Sequence, residues 1–253
     1  MHDFKKISAT QLESFVTCPL RFKKMTEGEE SCNSQAPLDI GTLFHVAMQS
    51  KELSEMMLYS VENKLNVSEI KKMKELIRHS DRFKKADAYE IRFETEVFST
   101  TLTGTPDEIH IEENWWEDEK KILIIDNKTT TMKWDNQKYS EMFQKYLYSY
   151  LVSKNTGCKN IHFQYRVFPK KSLILDEDVQ IFEEKIDIDE AEIIIKNLIA
   201  AYEESARTGF FPPVKDMHCF YCQYRENCSY GLKRKSKEER DLENGKLEVE
   251  VDF

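Results

Sequence analysis

The chain has 253 residues, 40% of them hydrophobic and 11% aromatic, enough for one sizeable core and too few for two large ones. Its 37 lysines and arginines against 46 aspartates and glutamates leave a net charge of -9, which argues against a general coater of nucleic acid and confines phosphate contact to a local basic patch. No apolar run approaches the roughly 20 residues of a membrane span and no opening resembles a signal peptide, so a cytoplasmic protein with no membrane partner is expected.

In chain order, Leu12, Phe15, Val16 and Leu20 recur at helical spacing from Ser8 onward. After a polar, turn-rich stretch (27–39), helical patterning resumes over 41–85, so residues 1–90 read as a mainly helical part. The period then changes. Segments 91–99, 102–111 and 121–127 are rich in β-branched and aromatic residues, with the polar stretch 112–120 as a hairpin connection. Residues 136–154 return to helical spacing, with Tyr139, Phe143, Tyr146, Leu147, Tyr150 and Leu151 along one side. Strands over 160–168 and 179–187 follow, then a helix over 189–207, with Asp189 as its N-cap and Gly209 and Pro212-Pro213 as its stop. This order predicts an α/β fold, a mixed sheet flanked by helices, with chemistry at strand ends. The predicted organisation is one domain over 1–253. Its sheet core spans 91–187, a helix and cysteine-bearing segment 188–230, and a charged tail 231–253. Basic stretches lie at 154–171 and 233–237, and acidic ones at 112–119 and from 238 onward.

Two carboxylates stand out. Asp107 sits in Thr-Gly-Thr-Pro-Asp, where Gly104 and Pro106 disturb a strand, and Asp126 ends the apolar run Ile122-Leu123-Ile124-Ile125. Residues two apart on a strand share a face, so Asp126 and Lys128 project together. Hydrolysis of a phosphodiester needs a hard divalent cation that lowers the pKa of a water, and carboxylates and backbone oxygens such as the Asn127 carbonyl are its natural ligands. A lysine beside that water stabilises developing negative charge. Glu94 and Glu96 fit a further metal contact and a solvated strand equally well.

Pro106-Asp107, eighteen residues, then Asp126-Asn127-Lys128 resembles the PD-(D/E)XK nuclease superfamily, in the Asp variant of its second motif. Gly41-Thr42-Leu43-Phe44-His45 resembles the Gly-x-x-x-His helix of the RecB-like branch, and Gln144 to Tyr148 its Gln-x-x-x-Tyr motif, all in the family's order. The resemblance implies a restriction-endonuclease-like fold, His45, Asp107 and Asp126 as metal ligands, and Lys128 as the catalytic lysine. Gln144 and Tyr148 would be active-site or DNA-positioning residues. On their own these two, four apart on a helix, read equally as a packing pair.

Cys219-x-x-Cys222, five residues, then Cys228 offers three soft ligands, suited to zinc or an iron-sulfur cluster. Cys18 or His218 would supply the fourth. The RecB-like branch with a 4Fe-4S cluster has this split of one N-terminal and three C-terminal cysteines, and Cys18-Pro19 matches its N-terminal position. The resemblance thus implies a metal-dependent deoxyribonuclease with Mn2+ or Mg2+ at the carboxylates and a 4Fe-4S staple. It would act as an exonuclease on single-stranded DNA or duplex ends. The branch includes CRISPR-associated exonucleases and exonuclease V relatives. No phosphate-binding Gly-x-x-x-x-Gly-Lys-Ser/Thr occurs, so unwinding would fall to a helicase partner, and CRISPR adaptation proteins are the other implied partners. The alternative is a noncatalytic DNA-end or partner-binding module held by an iron-sulfur or zinc site. Phe210, Phe211, Phe220, Tyr221 and Tyr224 near the cysteines are expected mostly to pack.

Overall fold

The computed structural model describes residues 5–29, 84–114, 119–130, 133–169 and 179–230. His45, Cys32, the charged tail and nearly all of the predicted helical stretch 41–85 lie outside the described residues. The described elements run β1 (Lys6–Ser8), α1 (Ala9–Thr17), α2 (Pro19–Thr26), β2 (Ala88–Tyr89), β3 (Phe93–Val97), β4 (Thr100–Gly104), β5 (Glu108–Asn114) and β6 (Glu119–Thr130). They continue with α3 (Asn136–Glu141), α4 (Gln144–Thr156), β7 (Ile161–Pro169), β8 (Gln180–Ile186) and α5 (Ile188–Thr208), then short 3-10 turns at Met217–Tyr221 and Arg225–Asn227.

The expected mixed sheet is present, in order β2-β5-β6-β7-β8, with β6 and β7 parallel and the β5-β6 and β7-β8 pairs antiparallel. A second, three-stranded sheet has the order β1-β4-β3. The segment 102–111, read as one strand, divides between the two sheets at Thr105-Pro106-Asp107. Pro106 has no N–H to give a ladder, and it biases the preceding residue's backbone. The helix read over 136–154 is also two, interrupted at Met142 and Phe143, where Met142 is extended (ψ 114).

Local chemistry explains the other boundaries. Ser8 and Gln11 form a reciprocal capping box at the start of α1. Cys18 is extended (φ -164, ψ 106), and Pro19 opens α2, so the chain turns sharply between the two helices. Asp187, rather than Asp189, caps α5, accepting from the N–H groups of Asp189 and Glu190. Gly209 closes that helix at φ 70, as expected.

One face of the five-stranded sheet is apolar. Ile122 and Ile124 of β6 stand in register with Ile161 and Phe163 of β7, all buried. Helix α4 lies on this face, with Tyr148 stacked on Phe163 at 6.4 Å, and Ile195, Ile199 and Tyr202 of α5 join the same core. Phe15 of α1 and Phe22 of α2 meet Tyr202 edge-on, each at 5.7 Å, and both contact Phe211 beyond α5. The packing expected of Phe211 and Tyr224 is observed, whereas Phe210 is exposed.

Candidate active site

The strand break puts Asp107 at the mouth of β5, next to the end of β6 that runs on past it. Asp107 Oδ2 accepts the backbone N–H of Asn127 at 2.6 Å. In an extended strand the N–H and C=O of one residue leave the same edge, so the Asn127 carbonyl also faces the Asp107 side. Asp126 and Lys128 share the front face as the strand period requires, with Lys128 Nζ 2.7 Å from Asp126 Oδ2. Lys128 Nζ also donates to Gln144 Oε1 at 2.6 Å. Gln144 begins α4, so the interruption at Met142 and Phe143 sets where its amide arrives.

Burial alone would lower the Lys128 pKa, but Asp126 first, then Asp107 and Glu13, outweigh it and raise it above its ordinary value. Lys128 is therefore a fixed cation at neutral pH, suited to stabilising charge rather than accepting a proton. Tyr148 lies mostly in the core, its ring against Gly104 and Phe163. Its phenol pKa is pushed far above the usual value, first by burial and then by Asp126, Asp107 and Glu13, which keeps the hydroxyl protonated. His45 lies outside the described residues. Glu94 and Glu96 do not join the site: Glu94 pairs with Lys6 at 2.9 Å and Arg92 at 2.8 Å, and Glu96 accepts from Thr101.

Two features escaped the sequence reading. Glu13 on α1 is electrostatically coupled to Lys128. Burial raises its carboxyl pKa, partly offset by Lys128, Lys138 and Arg21. Nothing in the sequence flags it, because only the packing of α1 brings it there. The second is a buried polar patch behind the sheet, comprising Glu108, His110, Asn127, Gln164 and Arg166. The alternation of Gln164 and Arg166 with Phe163, Tyr165 and Val167 is the pattern of a solvated face, and burial is the surprise.

Cys18, Cys219, Cys222 and Cys228 line one cavity of about 30 Å³, together with Arg21 and His218. Cys18 Sγ accepts the Val214 N–H at 3.4 Å, joining residues 196 apart in sequence. Burial raises the Cys222 thiol pKa, with Cys18 and Cys228 adding to it and Arg21 opposing. His218 Nδ1 lies 3.0 Å from Asp216 Oδ2. Cys158 is elsewhere, against the carbonyls of Lys120 and Asn160. Among the described residues no three His, Cys, Asp or Glu side chains converge tightly enough to hold a single ion, and no helix is long and apolar enough to cross a membrane.

The crystal structure of a candidate exonuclease from Eubacterium rectale superimposes with a TM-score of 0.64 at 13% identity, covering 96% of this chain and 94% of that one. It establishes a shared fold, the restriction-endonuclease-like one. A second solved structure, SSO0001, is 17% identical over 92% of this chain and 90% of that one, with a TM-score of 0.49. No curated protein matches. A family model for the PD-(D/E)XK nuclease superfamily matches residues 6–229, from β1 through the last cysteine. The chain belongs to the PD-(D/E)XK nuclease superfamily.

Proposed function

We propose that this nuclease is a single-domain, metal-dependent deoxyribonuclease of the RecB-like iron-sulfur branch, acting as an exonuclease on single-stranded DNA or duplex ends. The observation that carries the reading is the position of Lys128 Nζ, which bridges Asp126 at 2.7 Å and Gln144 at 2.6 Å while Asp107 holds the adjoining backbone N–H. Two motifs thus meet at one amine, and the third, through Asp107, is tied to the backbone between Asp126 and Lys128.

The donor set suits a hard divalent cation: the Asp107 and Asp126 carboxylates and the Asn127 carbonyl are all oxygens, with His45 as the further ligand we assign. Manganese or magnesium bound there would lower the pKa of a water and draw charge from the phosphoryl oxygens. Lys128 stabilises charge developing on the phosphate, and Gln144 fixes the amine's direction by accepting a hydrogen bond from it. Tyr148 stays protonated and adds no negative charge beside the carboxylates.

The four cysteines suit a 4Fe-4S cluster, since Cys18 shares their cavity and already accepts a backbone N–H from the C-terminal segment. The cluster's role is architectural, tying α1 and α2 to the segment after α5. A helicase or CRISPR adaptation proteins are the partners that fit such an activity.

Anaerobically purified protein is to be incubated with end-labelled single-stranded and duplex DNA, with manganese, magnesium or chelator, beside Asp126→Ala. Metal-dependent loss of label that Asp126→Ala abolishes is the expected result. Metal-independent cleavage, or none by the wild type on any DNA, refutes the reading.

A further inference from the structure

Behind the catalytic strand, facing away from Asp126 and Lys128, lies a group of side chains that the reaction does not touch. Glu108 is 3% exposed, His110 3%, Asn127 2% and Arg166 5%. Glu108 is at its centre. Arg166 Nη1 donates to both of its carboxylate oxygens, at 3.1 and 3.0 Å, His110 Nε2 lies 3.2 Å from Oε2, and Asn127 Nδ2 donates to Oε1 at 2.8 Å. Gln164 Oε1 accepts from Arg166 Nε at 3.0 Å, which fixes the guanidinium in turn.

Glu108 immediately follows Asp107, and Asn127 immediately follows Asp126. The two motifs are therefore joined twice through Asn127. In front, its backbone N–H binds the Asp107 carboxylate at 2.6 Å, and behind, its side-chain amide binds Glu108. This happens where β5 has stopped pairing with β6: the ladder ends at Glu108 opposite Ile125, so no backbone ladder between these strands holds Asp126 to Asp107. Asn127 Oδ1 is buried with no hydrogen-bond partner among the described residues, which leaves Glu108 as the side chain's hold. A buried ion pair such as Glu108–Arg166 is seldom a net source of stability against apolar replacements, but it fixes direction well.

We infer that Glu108, braced by Arg166 and His110, is a positioning residue that clamps Asn127 from behind the sheet and so sets the spacing of the Asp107 and Asp126 carboxylates for a divalent cation. The inference rests on the metal-site reading above. Supporting groups of this kind commonly alter metal affinity by about 10–100-fold when removed.

The test measures Mn2+ binding to the full chain by electron paramagnetic resonance of the free ion, for wild type, Asp126→Ala, Asn127→Val, Glu108→Ala, Glu108→Gln and the double variant Glu108→Ala/Asn127→Val. Asn127→Val keeps the backbone N–H and carbonyl and removes only what Glu108 grips. It and Glu108→Ala are each expected to raise the Mn2+ dissociation constant about 10–100-fold, with the double variant no worse than the weaker single. Glu108→Gln, which retains an acceptor for Asn127, falls closer to wild type. Saturating Mn2+ restores kcat to Asn127→Val with KM for DNA unchanged. A merely structural role would instead lower the melting temperature of the metal-free protein and leave the dissociation constant of the folded fraction alone. If Glu108→Ala does not fold, Asn127→Val decides, since the Glu108–Arg166–His110 contacts survive in it. Wild-type affinity in Asn127→Val, where Asp126→Ala has lost binding, overturns the clamp. Binding that Asp126→Ala leaves intact overturns the metal site itself, and the clamp with it.

Discussion

Replacing Gly104 with alanine tests how the fold presses on the site. An added methyl would stand 2.6 Å from Leu151 Cδ1 and 3.0 Å from Tyr148 Cε1. Neither neighbour has room to yield: Leu151 is 0% exposed, and the Tyr148 ring is stacked on Phe163 at 6.4 Å. Overpacking of this kind costs about 1–3 kcal/mol, while the lost chain entropy of glycine returns about 0.4–1 kcal/mol. The net loss is up to about 2.6 kcal/mol, or up to roughly 10 °C in melting temperature for a chain of this size. Helix α4 carries both Tyr148 and Gln144, so displacing it draws Gln144 from Lys128 and slows cleavage as well. Urea unfolding of Gly104→Ala, Leu151→Ala and the double variant measures the strain, because Leu151→Ala makes space for the methyl. The double variant is expected to lie above the sum of the singles by about 0.5–3 kcal/mol. Strict additivity of the two substitutions refutes the steric argument.

Asp126→Ala and Lys128→Ala are each expected to abolish cleavage with the far-ultraviolet circular dichroism unchanged, and full activity in either sinks the site assignment. Glu203 accepts from Ser99 N and Oγ and Thr100 Oγ1 at 2.8–2.9 Å, and these bonds, against the opposing effect of burial, hold its carboxyl below the ordinary range. A lowered folded pKa gives stability that is present above the unfolded value, about 4.3, and lost as pH falls through the folded value. Glu203→Gln should therefore cost about 1–2 kcal/mol at pH 7 and progressively less in acid; a cost that does not shrink as pH falls below the unfolded value contradicts it. Protein purified without oxygen should be brown and contain iron and sulfide. Cys18→Ala should bleach it and Cys158→Ala leave its colour alone, whereas stoichiometric zinc retained in Cys18→Ala and lost in His218→Ala would replace the cluster by a zinc site.

Periodicity located most of the sheet and both long helices, because burial of one face leaves a signal in every second or fourth residue. It failed where a boundary depends on one backbone conformation: the passage from β4 to β5 at Pro106 and the interruption of helix at Met142 and Phe143. Both failures lie beside the candidate site, since each redirects the chain to deliver a side chain, Asp107 in one case and Gln144 in the other. Asp126 with Lys128 was legible because strand alternation is local. Glu13 was not, since its approach to Lys128 depends on α1 docking across the molecule. Arg166 and Gln164 carry no sequence signal of their burial for a related reason: alternation reports which residues differ from their neighbours, and a buried polar face looks in sequence like a wet one.

The aromatic seam of Phe15, Phe22, Tyr202 and Phe211 has a consequence for synthesis. Helices α1 and α2 are made first, yet the surface that covers Phe15 includes Phe211, 196 residues later. At about 5–20 residues per second, translation separates the two by roughly 10–40 s. Throughout that interval Phe15 and Phe22 lack the Phe211 part of their native cover. Closure of the seam, and with it the meeting of Cys18 and Val214, is a late event of high contact order. A ribosome stalled before residue 211 would thus display a chain with its sheet strands in hand and the aromatic seam still open on the Phe211 side.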